Sequence, residues 1–252
     1  MPVTRMARTM TASTTLVLFV LGSSASAQST PDPASAAAHD ASATAVTPAR
    51  PKGWAGALRG SMNLLAMEHV GRIAFQEKTR RELNGPFFQD YARSVKRPTT
   101  WNDGDGWFVN YVGHPIHGAA SSRIWLDQVE PDRHPRFGMT KAYFASRGKA
   151  AAWAAGYSLQ FEFGPLSEAS IGNVGMNPAT TGWVDHIVTP VGAMAMTVAE
   201  DALDQYLITF IERHTRNTYF TAVVRIFFNP SRSLANVAQG REPWFRATRP
   251  MR

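Results

Sequence analysis

Between Trp54 and Phe228 most apolar residues return at three- and four-residue steps, a period that fits helices better than half-buried strands. Trp54, Leu58, Met62, Leu65 and His69 set that rhythm for a first helix, carried on to Leu83 and stopped by Asn84-Gly85-Pro86. A second runs from Trp107 to Val129, interrupted at Pro115, and a third from Lys141 to Phe163. The end of the third, SLQFEFG, also alternates like a strand. Thr189-Pro190 reads as an N-cap followed by proline in the first turn of a fourth helix, which ends near His214. Tyr219 to Phe228 makes a fifth, with Phe220, Val223, Val224 and Phe227 on one face, and Asn229-Pro230 starts a last turn. The fold class is therefore all-α: one domain of about five helices over 53–240, with a basic aromatic tail at 241–252.

Small-residue faces at Gly118-Ala119-Ala120, Ala150 to Ala155 and Gly192-Ala193 predict close backbone approach between helices. No stretch in this region has the roughly 20 uninterrupted apolar residues of a spanning helix. The helical period also argues against an outer-membrane barrel.

Ahead of the domain, Arg5 and Arg8 precede the apolar run LVLFVLG and then Ala25-Ser26-Ala27, the pattern of a cleaved export signal over 1–27. Residues 28–52 are mostly Ala, Ser, Thr and Pro and read as a disordered linker. The chain has no cysteine, so disulfides and thiolate metal sites are excluded. Losing Arg5 and Arg8 with the leader takes the net charge from +7 to +5. For an exported protein that charge fits attraction to anionic lipid or lipopolysaccharide at most, or solubility alone, and no nucleic-acid partner is expected. Nothing in the sequence sets the oligomeric state.

Chemistry concentrates around NYVGHPIHG, Asn110 to Gly118, within the charge-free stretch Gly106 to Ser122. If the helix continues through Pro115, Asn110, His114, His117 and Ser121 share one side. Proline should instead push His114 from helical angles and split that stripe. His114-Pro115, Thr189-Pro190 and Asn229-Pro230 each place a polar residue before proline; Thr and Asn there suit capping, and histidine does not. Acids occur where a helical core should have few: Glu162, Glu168, Asp185, Glu200 and Asp201. His114, Glu162, Glu168 and Asp185 are the candidate catalytic residues. His114 would act as base, Glu162 or Asp185 would orient it, and the Glu168 loop would form a lid or substrate edge. Two histidines with carboxylates would also bind a divalent cation, but H-x-x-H alone is a weak signal, and no cofactor is predicted. A hydrogen-bonded network linking helices explains the same residues without chemistry. WNDGDGW, Trp101 to Trp107, reads as a turn with an exposed acidic face. Arg241, Arg246, Arg249 and Arg252 beside Trp244 and Phe245 fit either a headgroup interface or a docked tail.

Taken in order, WNDGDGWFVNYVGHPIHG, Glu162, SEASIG, DHIVTPVGA and Glu200 resemble an uncharacterised family of bacterial envelope proteins. That domain of unknown function has an N-Y-x-G-H-P-x-x-G motif followed by D-x-x-V-T-P, and the likeness covers roughly Trp101 to Pro230. The resemblance carries over Asn110, His114, Pro115, Gly118, Glu162, Glu168, Asp185, Thr189, Pro190 and Glu200. It does not require His117 or His186, which favours His114 with the acids over an H-x-x-H pair. It implies an envelope protein and no particular activity. The expectation is an exported structural or interaction component at a membrane surface. The alternative is an envelope hydrolase acting on lipid or cell-wall material, and a weaker third reading is a lipid- or ligand-binding module between helices.

Overall fold

The computed structural model describes residues 52–95, 100–103, 105–130, 136–168, 170–171 and 182–251. The expected leader and all but the last residue of the expected linker lie outside the described residues. Among those residues every regular element is helical, apart from one bridge between Thr100 and Gly182. The helices are α1 (Gly53–Phe75), α2 (Glu77–Glu82), α3 (Phe87–Val95), α4 (His114–Val129), α5 (Lys141–Phe163), α6 (Val184–Leu203), α7 (Thr209–His214), α8 (Thr218–Phe228) and α9 (Pro230–Ala238). Wide π-helical turns at Val109–Gly113 and Asp204–Ile208 lead into α4 and α7.

The five expected helices correspond to α1 with α2, α4, α5, α6 with α7, and α8. The first breaks where Gln76 takes an extended conformation. The fourth starts earlier than Thr189-Pro190 indicates. The backbone N–H groups of Trp183 and Val184 donate to the carbonyls of Thr100 and Trp101, at 2.9 and 3.1 Å. These main-chain bonds satisfy the start of α6, so no side-chain cap is needed. Thr189 and Pro190 thus lie inside the helix. Asn229 likewise does not cap α9 through its side chain. Buried Glu200 does so from α6, accepting from the backbone N–H of Ser231 at 2.8 Å and of Arg232 at 3.4 Å.

Helix α4 is the central strut, packed by α1, α5, α6 and α9 and buried from His114 to Leu126 except at Ile116. Its small residues make that possible. A Cβ added at Gly118 would lie 2.7 Å from Thr189 Cγ2 and 2.9 Å from the Thr189 carbonyl oxygen. A Cβ at Gly192 would lie 2.6 Å from Pro115 Cγ, so α4 and α6 meet with almost no side chain between them. Ala119, Ala154 and Ala193 form the contact shared by α4, α5 and α6. A larger cluster joins Leu64 and Leu65 of α1 to Ile124, Tyr157, Phe161 and Ala235.

Much of the interior is charged. Arg123 Nη1 donates to Asp201 Oδ1 at 2.5 Å, Arg147 Nη2 donates to Asp201 Oδ2 at 2.7 Å, and the Tyr143 hydroxyl donates to that oxygen at 2.9 Å. Burial would raise the Asp201 pKa, but Arg123, Arg147 and Arg232 hold it well below the usual carboxylate range. Conversely, many large apolar residues face outward. On α1 it is Ala57, Gly60, Ser61, Leu64 and Leu65 that are buried, while Trp54, Leu58 and Met62 are 61%, 56% and 46% exposed. The apolar rhythm of the sequence is real, but half of it lines the exterior. The C-terminal arginines point to acids of the body: Arg241 to Asp127, Arg246 to Asp204, and Arg249 to Asp204 and Glu212. The tail is docked, which removes those three arginines from the headgroup role.

Candidate functional site

Proline at 115 does not break the NYVGHPIHG segment. His114 keeps helical angles, φ −61° and ψ −42°, and its N–H reaches back five residues to the carbonyl of Val109. Proline has no N–H to offer and its ring crowds the preceding turn, so a wider π turn lets the helix run on. The expected displacement of His114 is therefore corrected, and the stripe of Asn110, His114, His117 and Ser121 stays intact and buried.

That stripe meets α5 and α6. His114, Glu162 and Asp185 each offer one ligand-type atom, and these atoms all lie within 4.8 Å of one another. None of the three is more than 5% exposed. His114 Nδ1 lies 3.3 Å from the Thr189 hydroxyl, and Nε2 lies 3.5 Å from Asp185 Oδ1. With Nδ1–H donating to Thr189, the lone pair of Nε2 points at the carboxyl, a tautomer set by the hydrogen bond. Burial lowers the His114 pKa to about 3 and raises that of Glu162 to about 8. Asp185 is raised to about 10 by burial and by its hydrogen bond with Asp103, with Glu162 adding to the effect. Burial thus favours the neutral imidazole and resists ionisation of the two carboxyls, while the nearby Arg72 guanidinium opposes that rise at Glu162. Among the described residues Glu162 Oε1 and Asp185 Oδ1 have no hydrogen-bond partner.

The fourth candidate, Glu168, is not in this trio. It is buried in an ion pair with Arg72 of α1, whose guanidinium lies over the Phe161 ring at 5.6 Å. His117 also turns elsewhere: its Nδ1 is 3.1 Å from Glu68 Oε1, while the Tyr157 hydroxyl donates to Glu68 Oε2 at 2.8 Å. His114 thus stands with Glu162 and Asp185, and the second histidine pairs with Glu68.

Three participants escaped the reading of the sequence. Glu68 and Arg72 follow Leu65 by three and seven residues, on the inward side of α1, a signal that was available. Asp103 does not stand on the exposed turn that WNDGDGW predicts. Instead its Oδ1 accepts from Asn110 Nδ2 at 2.8 Å and from the Asp105 backbone N–H at 3.0 Å. Burial would raise its pKa, but the hydrogen bonds from Asp185 and Asn110 bring it below the ordinary value. Only the fold brings that loop onto α6.

Two grooves mark the surface. One, of about 260 Å³, is lined by Trp101, Trp107, Asn110, Tyr111 and Val184 among others, on the outer side of the cluster. The other, of about 560 Å³, runs between α5 and α6 and is lined wholly by apolar residues and alanine, including Phe144, Ala152, Val191 and Met194. Neither is lined by His114, Glu162 or Asp185. No family model, curated protein or solved structure matches the chain.

Proposed function

We propose that the protein is an exported envelope component that works at a membrane surface, in a structural or interaction role. The observation that carries this reading is the outer face of α8, where Tyr219, Phe220, Val223 and Phe227 are 87%, 50%, 62% and 73% exposed. Exposed Arg213 and Arg216 stand just before it. Aromatic and aliphatic side chains beside arginine suit the boundary between headgroups and acyl chains. Among the described residues no helix is long and apolar enough to cross a membrane, so the reading is of a protein lying on the lipid. The buried cluster then serves first as a polar network that fixes the packing of α4, α5 and α6.

The test is co-flotation of the mature chain with vesicles of phosphatidylethanolamine and phosphatidylglycerol. Wild type floats, and the F220S/F227S double variant partitions at least about tenfold less. Each phenyl group is worth roughly 1.5–3 kcal/mol when fully buried in an apolar phase. Because Phe227 is largely and Phe220 half exposed, the variant should unfold at nearly the same urea concentration as wild type, far less shifted than its flotation. Equal flotation of the two proteins would overturn the proposal.

The hydrolase alternative draws on His114 facing Asp185 beside Glu162. The burial of all three weighs against it, since a lipid or glycan substrate would have to open the α4–α6 contact to reach them. The ligand-module reading finds support in the α5–α6 groove, though the polar cluster is not its floor.

A further inference from the structure

We propose that His114, Glu162 and Asp185 bind one divalent first-row transition cation through an imidazole nitrogen and two carboxylate oxygens. This inference does not rest on the membrane reading. The first ground is geometric. His114 Nε2 and Asp185 Oδ1 are 3.5 Å apart, longer than the usual hydrogen bond between such atoms. Two ligands each about 2.1 Å from a tetrahedral ion are about 3.4 Å from one another, so the separation suits a shared cation better than a direct bond.

The second ground is the accounting of buried polar atoms. Asp185 Oδ1 and Glu162 Oε1 have no hydrogen-bond partner among the described residues, although both residues are only 3% exposed. Unpartnered carboxyl oxygens in a dry interior are costly, and a cation at their meeting point would satisfy both. The third ground is the support around the histidine. The Thr189 hydroxyl lies 3.3 Å from Nδ1, the ring nitrogen away from the acids, where an outer partner stands in a metal-bound imidazole.

The donor set names the class of ion. One nitrogen and two oxygens suit Zn²⁺, Mn²⁺ or Fe²⁺, whereas Ca²⁺ takes six or more oxygens. Three protein ligands also leave a coordination position for water, unlike a closed four-ligand structural site. Glu162 comes from the end of α5, His114 from the start of α4 and Asp185 from the first turn of α6, so the cation would tie three helices at one point.

The experiment is titration of the chelator-treated mature chain with Zn²⁺ and, separately, Mn²⁺, followed by calorimetry and by elemental analysis after desalting. Wild type should take up one equivalent of at least one of these ions, and its Tm should rise with that ion's concentration. Glu162→Gln and Asp185→Asn, which keep shape, should bind at least about 100-fold more weakly. His117→Gln, outside the trio, should bind as wild type does. Failure of wild type to take up either ion, with no change in Tm, would overturn the proposal. So would full uptake by both carboxamide variants, which would move the ion elsewhere on the chain. The wild-type Tm response needs no variant and holds even if a substitution disturbs folding.

Discussion

Asp201→Ala should lower the stability of the chain by about 3–5 kcal/mol, the range for breaking a buried ion pair by removing one partner. The carboxylate receives Arg123, Arg147 and the Tyr143 hydroxyl, and Arg232 lies 3.6 Å away, so deleting it strands cationic side chains in the interior. Urea denaturation at pH 7 reads the effect as a lower midpoint. A loss below about 1 kcal/mol would show that the arginines find other partners. The same network predicts a sensitivity to acid. The folded pKa of Asp201 lies below the ordinary value of 3.8, so its stabilisation is fully present above that value. As pH falls below it, protons bind the unfolded chain first and the stabilisation drains away until the folded group also titrates. Asp201→Ala should therefore flatten the acid limb of the stability curve, and the gap between variant and wild type should narrow as pH drops.

The second large effect belongs to Gly118. In an exposed helix interior, glycine to alanine usually stabilises by about 0.5–1 kcal/mol. Gly156 is such a place: it lies in α5 with nothing within 4 Å of an added Cβ, and Gly156→Ala should raise stability by that amount. Gly118→Ala should have the opposite sign and cost about 1–3 kcal/mol, because its Cβ would meet Thr189 Cγ2, the Thr189 carbonyl and Ala193 Cβ. A flexible side-chain tip could move aside, but a helix backbone cannot do so locally. The substitution should shift α6 away from α4, displacing Thr189 from His114 and weakening binding of the proposed cation. Two denaturation curves decide this, and a stabilising Gly118→Ala would mean the helices are not in tight contact.

Much of this architecture is legible before any fold is known. The small faces of α4, α5 and α6 announce close packing, and the stripe from Asn110 to Ser121 marks the polar seam. His114, Glu162 and Asp185 could be singled out because charge and imidazole are expensive inside helices. Three features were not local, and they were missed. The start of α6 is satisfied by carbonyls of Thr100 and Trp101, more than 80 positions earlier, so Thr189-Pro190 looked like a cap. Asp103 sits in a turn sequence that reads as solvent-facing until the fold lays it against Asp185. Glu168 fell to Arg72, a partner that no spacing within its own loop could indicate. Periodicity gave the apolar faces of α1 and α8 but not their direction. Packing by small residues leaves little room for large side chains inside, and Trp54, Leu58, Phe220 and Phe227 turn outward instead.

The outward face of α8 can be probed directly, because the chain has no cysteine of its own. A single Val223→Cys substitution, at a position 62% exposed, carries a nitroxide as the chain's sole label. On addition of phosphatidylglycerol vesicles to the chain from residue 28 onward, collisions of the label with oxygen should increase and collisions with a water-soluble nickel chelate should decrease, as α8 enters the acyl boundary. Collision rates unchanged by vesicles would contradict the account, placing the aromatic face of α8 in water.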